Sequence, residues 1–174
     1  MKRIALFFTL TIFSILNIRA QDRSNDTTAR YFIIQASIGN LQEIQIAKLA
    51  LQRSTNSEIK TFANRMITDH SHVQSQLTQL IRSRNFQIPP EATNTPVDDL
   101  ILKNMSAKDF DRMYVHMMVP DHRQTVHLFE VYALTGKDPD VSFFAKQNLP
   151  LLKEHLATIV AIDDSMNGAT AGLP

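Results

Sequence analysis

Residues 62–70 read Phe-Ala-Asn-Arg-Met-Ile-Thr-Asp-His, and residues 114–122 read Tyr-Val-His-Met-Met-Val-Pro-Asp-His. The stretches are offset by 52 positions (114 − 62), and the same offset relates Leu77 to Phe129 further on. Each copy sets an aromatic, a Met, an aliphatic residue, an Asp-His pair and a large apolar residue at helical spacing. Two similar helices therefore each carry an Asp-His pair at about mid-length. That pattern predicts a polar centre inside a helical bundle, and it names no reaction.

Working outward, each copy belongs to a longer stripe. One runs Ile59, Phe62, Met66, His70, Val73, Leu77 and Leu80, always 3 or 4 apart. Asn56 or Ser57 can cap this helix, which is expected to last to about Asn85. The other stripe runs Phe110, Tyr114, Met118, His122, Val126 (or Thr125), Phe129 and Ala133. Ser106 with Asp109 resembles a capping box at its start, and Gly136 stops it. A helix from about 27 to 54 precedes these two, with Phe32, Ala36, Asn40, Glu43, Ala47 and Ala50 on one face. A fourth follows, with Pro139 where a first turn accepts it and Val141, Phe144, Asn148, Leu152, His155, Ile159 and Ile162 in line. Pro120 and Pro150 interrupt the last two patterns. Each frees a carbonyl four residues earlier, His116 and Lys146, and a bend is the expected result. No period-2 strand pattern of useful length is present.

The links set the topology. The first and third are short, so the helices they join are antiparallel neighbours. The second is long: Pro89-Pro90 ends any helix, residues 88–95 read as loop and residues 97–105 as a short helix. It is expected to cross one end of the bundle. Two hairpins joined in this way give an all-α, antiparallel four-helix bundle of the ferritin-like kind. The ordered core is expected over about 27–164, with a frayed tail from Asn167 onward.

The first 20 residues read as a signal peptide. Lys2 and Arg3 precede an apolar run of 13 residues, 4 to 16, and Ala20 stands where signal peptidase would cut. The run is too short to span a bilayer comfortably. Cleavage leaves residues 21–174 as one domain with no membrane span, periplasmic or secreted. Losing Lys2, Arg3 and Arg19 reduces the 18 basic side chains to 15 against 17 acidic ones, so the apparent basicity belongs to the signal. Nothing then points to nucleic acid. The chain has no Cys, which excludes disulfides, thiolate metal sites, Cys nucleophiles and a lipid-modified N-terminal Cys. Neither a nucleophile elbow nor a Gly-rich phosphate loop occurs.

Glu43, His70, His122 and His155 fall at similar depth on inward faces of the four helices. Buried without partners, each would cost about 2–7 kcal/mol, so they should meet one another, a metal or water. Imidazole suits zinc, iron, copper and nickel, and a carboxylate completes such a set. A divalent transition metal is the cofactor this reading implies, with Asn40, Asp69, Asp121 and Glu154 as supporting partners. Adjacent helical residues point about 100° apart, so an Asp-His pair does not readily serve one ion. Glu-x-x-His is absent, which disfavours a di-iron carboxylate centre. The competing reading is structural: Asn40 and Glu43 satisfy two of the imidazoles and fix helix register. His72, His116 and His127 read as flank or surface residues. Met66, Met105, Met113, Met117 and Met118 offer soft ligands, but their helical spacing suits core packing.

The pattern Ala36…Asn40-Leu41-Gln42-Glu43, Ser54-x-Asn56…Phe62-Ala63…Met66-x-x-Asp69-His70, Phe110-Asp111-x-x-Tyr114…Met118…His122 and Leu149-Pro150…His155-Leu156 resembles one bacterial family. It is family 4142 of the domains of unknown function, often labelled predicted outer membrane protein. The resemblance spans about residues 31–162, with Pro120 a local departure. It implies a ferritin-like fold and export, and it implies no activity. Barrel-strand alternation and a lipobox Cys are both missing, so the sequence reads as a soluble periplasmic protein. Two functions remain open at this stage. One is a non-enzymatic envelope or stress protein with a structural polar centre, acting through a protein partner or as a homo-oligomer. The other is a metal-binding protein with a His-rich site in the bundle.

Overall fold

The structure, a computed structural model, describes residues 27–88 and 104–171. The expected signal peptide, most of the expected loop over 88–95 and most of the expected short helix over 97–105 lie outside these residues. Within them the chain forms α1 (Thr27–Arg53), α2 (Ser57–Ser83), α3 (Ala107–Thr135) and α4 (Pro139–Ala171). Asn56 caps α2, its side chain accepting from the Glu58 and Ile59 amides. Ser106 caps α3 by accepting from the Asp109 amide. Asp138 caps α4, taking the Asp140 and Val141 amides on Oδ1. A Schellman motif ends α2: the Phe86 amide reaches the Ile81 carbonyl and the Asn85 amide the Arg82 carbonyl, with Asn85 at φ 52°. Gly136 is the C-cap of α3, and a Cβ there would collide with the ring and carbonyl of Tyr132.

α1 packs chiefly on α2, and α3 on α4, while α1 also meets α3 and α2 meets α4. Asn148 touches Gln76 and Arg84 touches Asp138, so α2 and α4 run antiparallel. The two points that the long link joins do not lie at one end of the bundle, as its length suggested. Arg30 bonds the Gln87 carbonyl and Arg53 the Met105 carbonyl, which sets the two points to be joined at opposite ends of α1. This is the ferritin-like connection, with α2 and α3 parallel. α4 also departs from expectation, because it continues past Asn167 to Ala171. Asn167 Nδ2 bonds Asp163 Oδ1 one turn back and holds the helix on that face. Pro120 and Pro150 lie within continuous helices, both exposed. No helix among the described residues is long and apolar enough to cross a membrane.

The core divides in two. One half gathers Ile46, Ala50, Ile59, Phe62, Met66, Phe110, Tyr114, Met118, Ile159 and Ile162. The other gathers Phe32, Ile33, Val73, Leu77, Phe129, Tyr132, Val141, Phe144 and Leu152, with Phe32 stacked 4.4 Å from Tyr132 and edge-on to Phe129 at 5.0 Å. Burying each large apolar side chain contributes about 1.5–3 kcal/mol. Along every helix the two halves are separated by a polar step: Asn40 and Glu43 on α1, His70 on α2, His122 on α3 and His155 on α4. The polar centre is thus a layer closed above and below by packed apolar side chains.

Candidate metal centre

His70, His122 and His155 come together from three helices, exposed by 1%, 0% and 0%. Their ring centroids lie 5.2, 5.8 and 6.3 Å apart, and one ring nitrogen from each falls within 4.8 Å of the others. Phe62 walls the centre, 5.9 Å from the His122 ring and 6.2 Å from that of His155.

Hydrogen bonds fix which nitrogens carry protons. Asn40 Nδ2 donates to the His70 carbonyl at 2.7 Å and to Gln74 Oε1 at 3.0 Å. Its Oδ1 therefore faces His70 Nδ1, at 2.7 Å, and must accept from it. His122 Nδ1 lies 2.9 Å from the Met118 carbonyl, which can only accept. His155 Nε2 lies 2.8 Å from Asp69 Oδ2. All three outer nitrogens are donors, so the remaining ones, His70 Nε2, His122 Nε2 and His155 Nδ1, carry bare lone pairs. None of those three has a hydrogen-bond partner. Buried acceptors without donors are rare in folded proteins.

Burial, together with the charge each neighbouring imidazole would carry if protonated, holds His70 well below the usual imidazole range. Burial lowers His122 to about 4 against the opposing pull of the Met118 carbonyl. It also lowers His155, with Asp69 opposing. The cluster is neutral at pH 7 and ready to donate electron pairs.

The four supporting residues divide sharply. Asn40 and Asp69 each orient an imidazole, as expected. Asp69 serves not its neighbour His70 but His155 across the bundle, and Arg65 holds it in turn at 3.2 Å. Glu154 touches no histidine ring; it pairs with Arg65 at 2.5 Å. Asp121 is exposed on a groove between α1 and α3. Glu43, expected among the ligands, lies on the outer side of the rings. Its Oε2 is 3.1 Å from His70 Nδ1 and its Oε1 is 3.5 Å from His122 Nδ1. Burial, and then the charge of Asp121, push its carboxyl up to about 8. His72, His116 and His127 are exposed, as expected. The sequence reading missed the buried pair Arg84–Asp138, 2.6 Å, at the far end of the bundle. A cap position followed by Pro139 was its only signal.

Residues 17–162 match the model of one family. The chain belongs to the DUF4142 family, a domain of unknown function. No curated protein matches it. Among solved structures it is similar to CopM in the Cu(I)-bound form, with 17% identity, a TM-score of 0.66 and coverage of 79% of this chain and 96% of that one. CopM in the Ag-bound form obtained by co-crystallization gives 17% identity, a TM-score of 0.65, and coverage of 79% and 96%. A DUF305 fragment from Deinococcus radiodurans gives 16% identity, a TM-score of 0.64, and coverage of 78% and 95%. At such identities the likeness shows a shared helical-bundle fold.

Proposed function

We propose that this DUF4142 domain is an exported metal-binding protein that holds one transition-metal ion between His70, His122 and His155. The single observation that carries this reading is three buried imidazoles that each keep one nitrogen without a partner and bring a ring nitrogen apiece within 4.8 Å of the others. A structural polar layer would be expected to satisfy its own acceptors, and this one leaves three open. The partners behind the rings are those of a metal site, where each ligating imidazole donates its other N–H to a carboxylate, carbonyl or amide oxygen. Glu43 then stands behind the ligands, its carboxyl 3.1 Å from the Nδ1 of His70 that Asn40 already holds.

Copper in its monovalent state suits the site best, with zinc next. Three neutral imidazoles supply no charge to the ion's first coordination sphere, and the surroundings are dry, so a singly charged ion costs least to bury. The similarity to CopM, solved in Cu(I)-, Ag- and Cu(II)-bound forms, supports copper without choosing its charge. Export rests on the basic start and short apolar run of residues 1–20.

The test is anaerobic titration of purified protein with Cu(I), and separately with Zn(II), followed by X-ray absorption. One ion per chain with nitrogen ligands is expected. No uptake of either ion by correctly folded protein overturns the reading.

A further inference from the structure

α1 carries a glycine at its middle, Gly39, that the helix itself does not need. Its φ is not positive, and a Cβ built there meets nothing within 4 Å. Glycine in a helix interior nonetheless disfavours folding relative to alanine. The space it leaves has a definite place. A groove of about 570 Å³ runs between α1 and α3, with Tyr31 and Val131 toward one end and Met117, Asp121, Gly39 and Glu43 among its walls. A second cavity of about 20 Å³, room for about one water, lies further in and touches His70, Asn40 and Leu152. Gly39 and Glu43, one helical turn apart, line both spaces.

We infer that the groove is the route by which the ion reaches the histidines, and that Gly39 is the gap in its wall. This rests on the metal reading above. The apolar half-cores close the centre along the bundle axis, whereas the inner cavity reaches His70 from the side, past Asn40 and Glu43, so side-chain motion at that ring completes a lateral path. The path suits a soft monovalent cation: the Met117 and Met118 side chains line it, and the carboxylate of Asp121 stands at its solvent side. A side chain at residue 39 would project into open space without displacing the fold, so the route can be narrowed while the ligands stay untouched.

The experiment measures Cu(I) transfer from a coloured chelator to the full-length mature protein by stopped flow, for wild type, Gly39→Ala, Gly39→Leu and Gly39→Phe. Gln45→Leu, an exposed α1 position away from the groove, is the control. Gly39→Leu and Gly39→Phe should load and release copper more slowly by about tenfold or more, with equilibrium affinity within about twofold of wild type, since a narrowed path slows both directions equally. Their melting temperatures should equal or exceed that of wild type. Gly39→Ala and Gln45→Leu should load at the wild-type rate. If Gly39→Leu also loads at the wild-type rate, or loses affinity while its release rate is unchanged, the route is wrong although the metal site stands. If wild type takes up no copper, the metal reading fails and this inference with it.

Discussion

Asp69 Oδ2 and His155 Nε2 lie 2.8 Å apart across the interface of α2 and α4. Asp69 immediately precedes His70, so one dipeptide supplies a ring to the centre and a carboxylate to another ring in it. Helical geometry explains the division, because adjacent side chains diverge by about 100°. The carboxylate is itself held by Arg65, which Glu154 grips from the other side. A chain of charged groups thus runs from the surface to the back of His155.

Asp69→Asn tests what that chain does. The change keeps the shape and removes the charge that favours a proton on Nε2. Loss of such a partner costs about 10–100-fold in metal affinity. Calorimetric titration should show that loss in protein whose helical content is unchanged. Equal affinity in a folded variant would reduce Asp69 to a packing residue.

The ligand assignment has its own signature in thermal melts. An ion bound only by the folded state stabilises it by about 2.7 kcal/mol at a free concentration one hundred times Kd. His70→Ala and His122→Ala should each abolish the copper-induced rise in Tm. His72→Ala, exposed and bonded only to Gln76, should keep it. A rise that survives His122→Ala at full size would put the ion elsewhere.

At the far end of the bundle, Arg84 grips Asp138 through two nitrogens, and both side chains are 2% exposed. Breaking a buried pair leaves one charge stranded, at a cost of about 3–5 kcal/mol. Arg84→Ala should lower stability in denaturant titrations by that order. Asp138→Ala leaves Arg84 paired with Asp140 Oδ2 at 3.1 Å, which offsets part of the loss, but it also removes the α4 cap, worth about 1 kcal/mol. Copper affinity should be unchanged in both, since the pair lies beyond the second half-core. Two near-neutral unfolding results would show that the pair is hydrated and dispensable.

The four helices were legible because their inward stripes are long and regular: Phe32, Ala36, Asn40, Glu43, Ala47 and Ala50 of α1 are all buried. The three imidazoles were legible for the same reason, being the polar steps in apolar stripes. Side-chain reach was not. Spacing placed Glu43 at the right depth and on the right face, but not on the outer side of the rings. Nor could spacing show that Asp69 would cross to α4, or that Asn40, by spending its amide nitrogen on the His70 carbonyl and Gln74, would dictate a tautomer. The direction of the long link was hidden as well, because loop length permits a crossing at one end or a run along the bundle. Arg84–Asp138 escaped notice because ordinary charged residues at helix ends carry no periodic signal.

The pH dependence of the metal-free protein separates the histidines from Glu43. Folding holds all three imidazoles below their unfolded value of about 6.5. Below that pH the unfolded chain takes up protons that the fold refuses, so stability falls as pH drops from about 6.5, and for His122 the loss continues toward about 4. Glu43 behaves in the opposite sense. Its folded value is about 8 against an ordinary 4.5, so its stabilising contribution is complete below 4.5 and is lost as pH rises toward 8. Between 4.5 and 6.5 three imidazoles outweigh one carboxyl, and above 6.5 the carboxyl acts alone. Stability should therefore peak near pH 6–7 and decline toward 8. Glu43→Gln removes the titrating group while keeping a hydrogen-bonding side chain behind His70. Melting temperatures from pH 4 to 9 should show the acid-side fall in both proteins and the alkaline decline in wild type only. An alkaline decline that persists undiminished in Glu43→Gln would show that a group other than Glu43 titrates there.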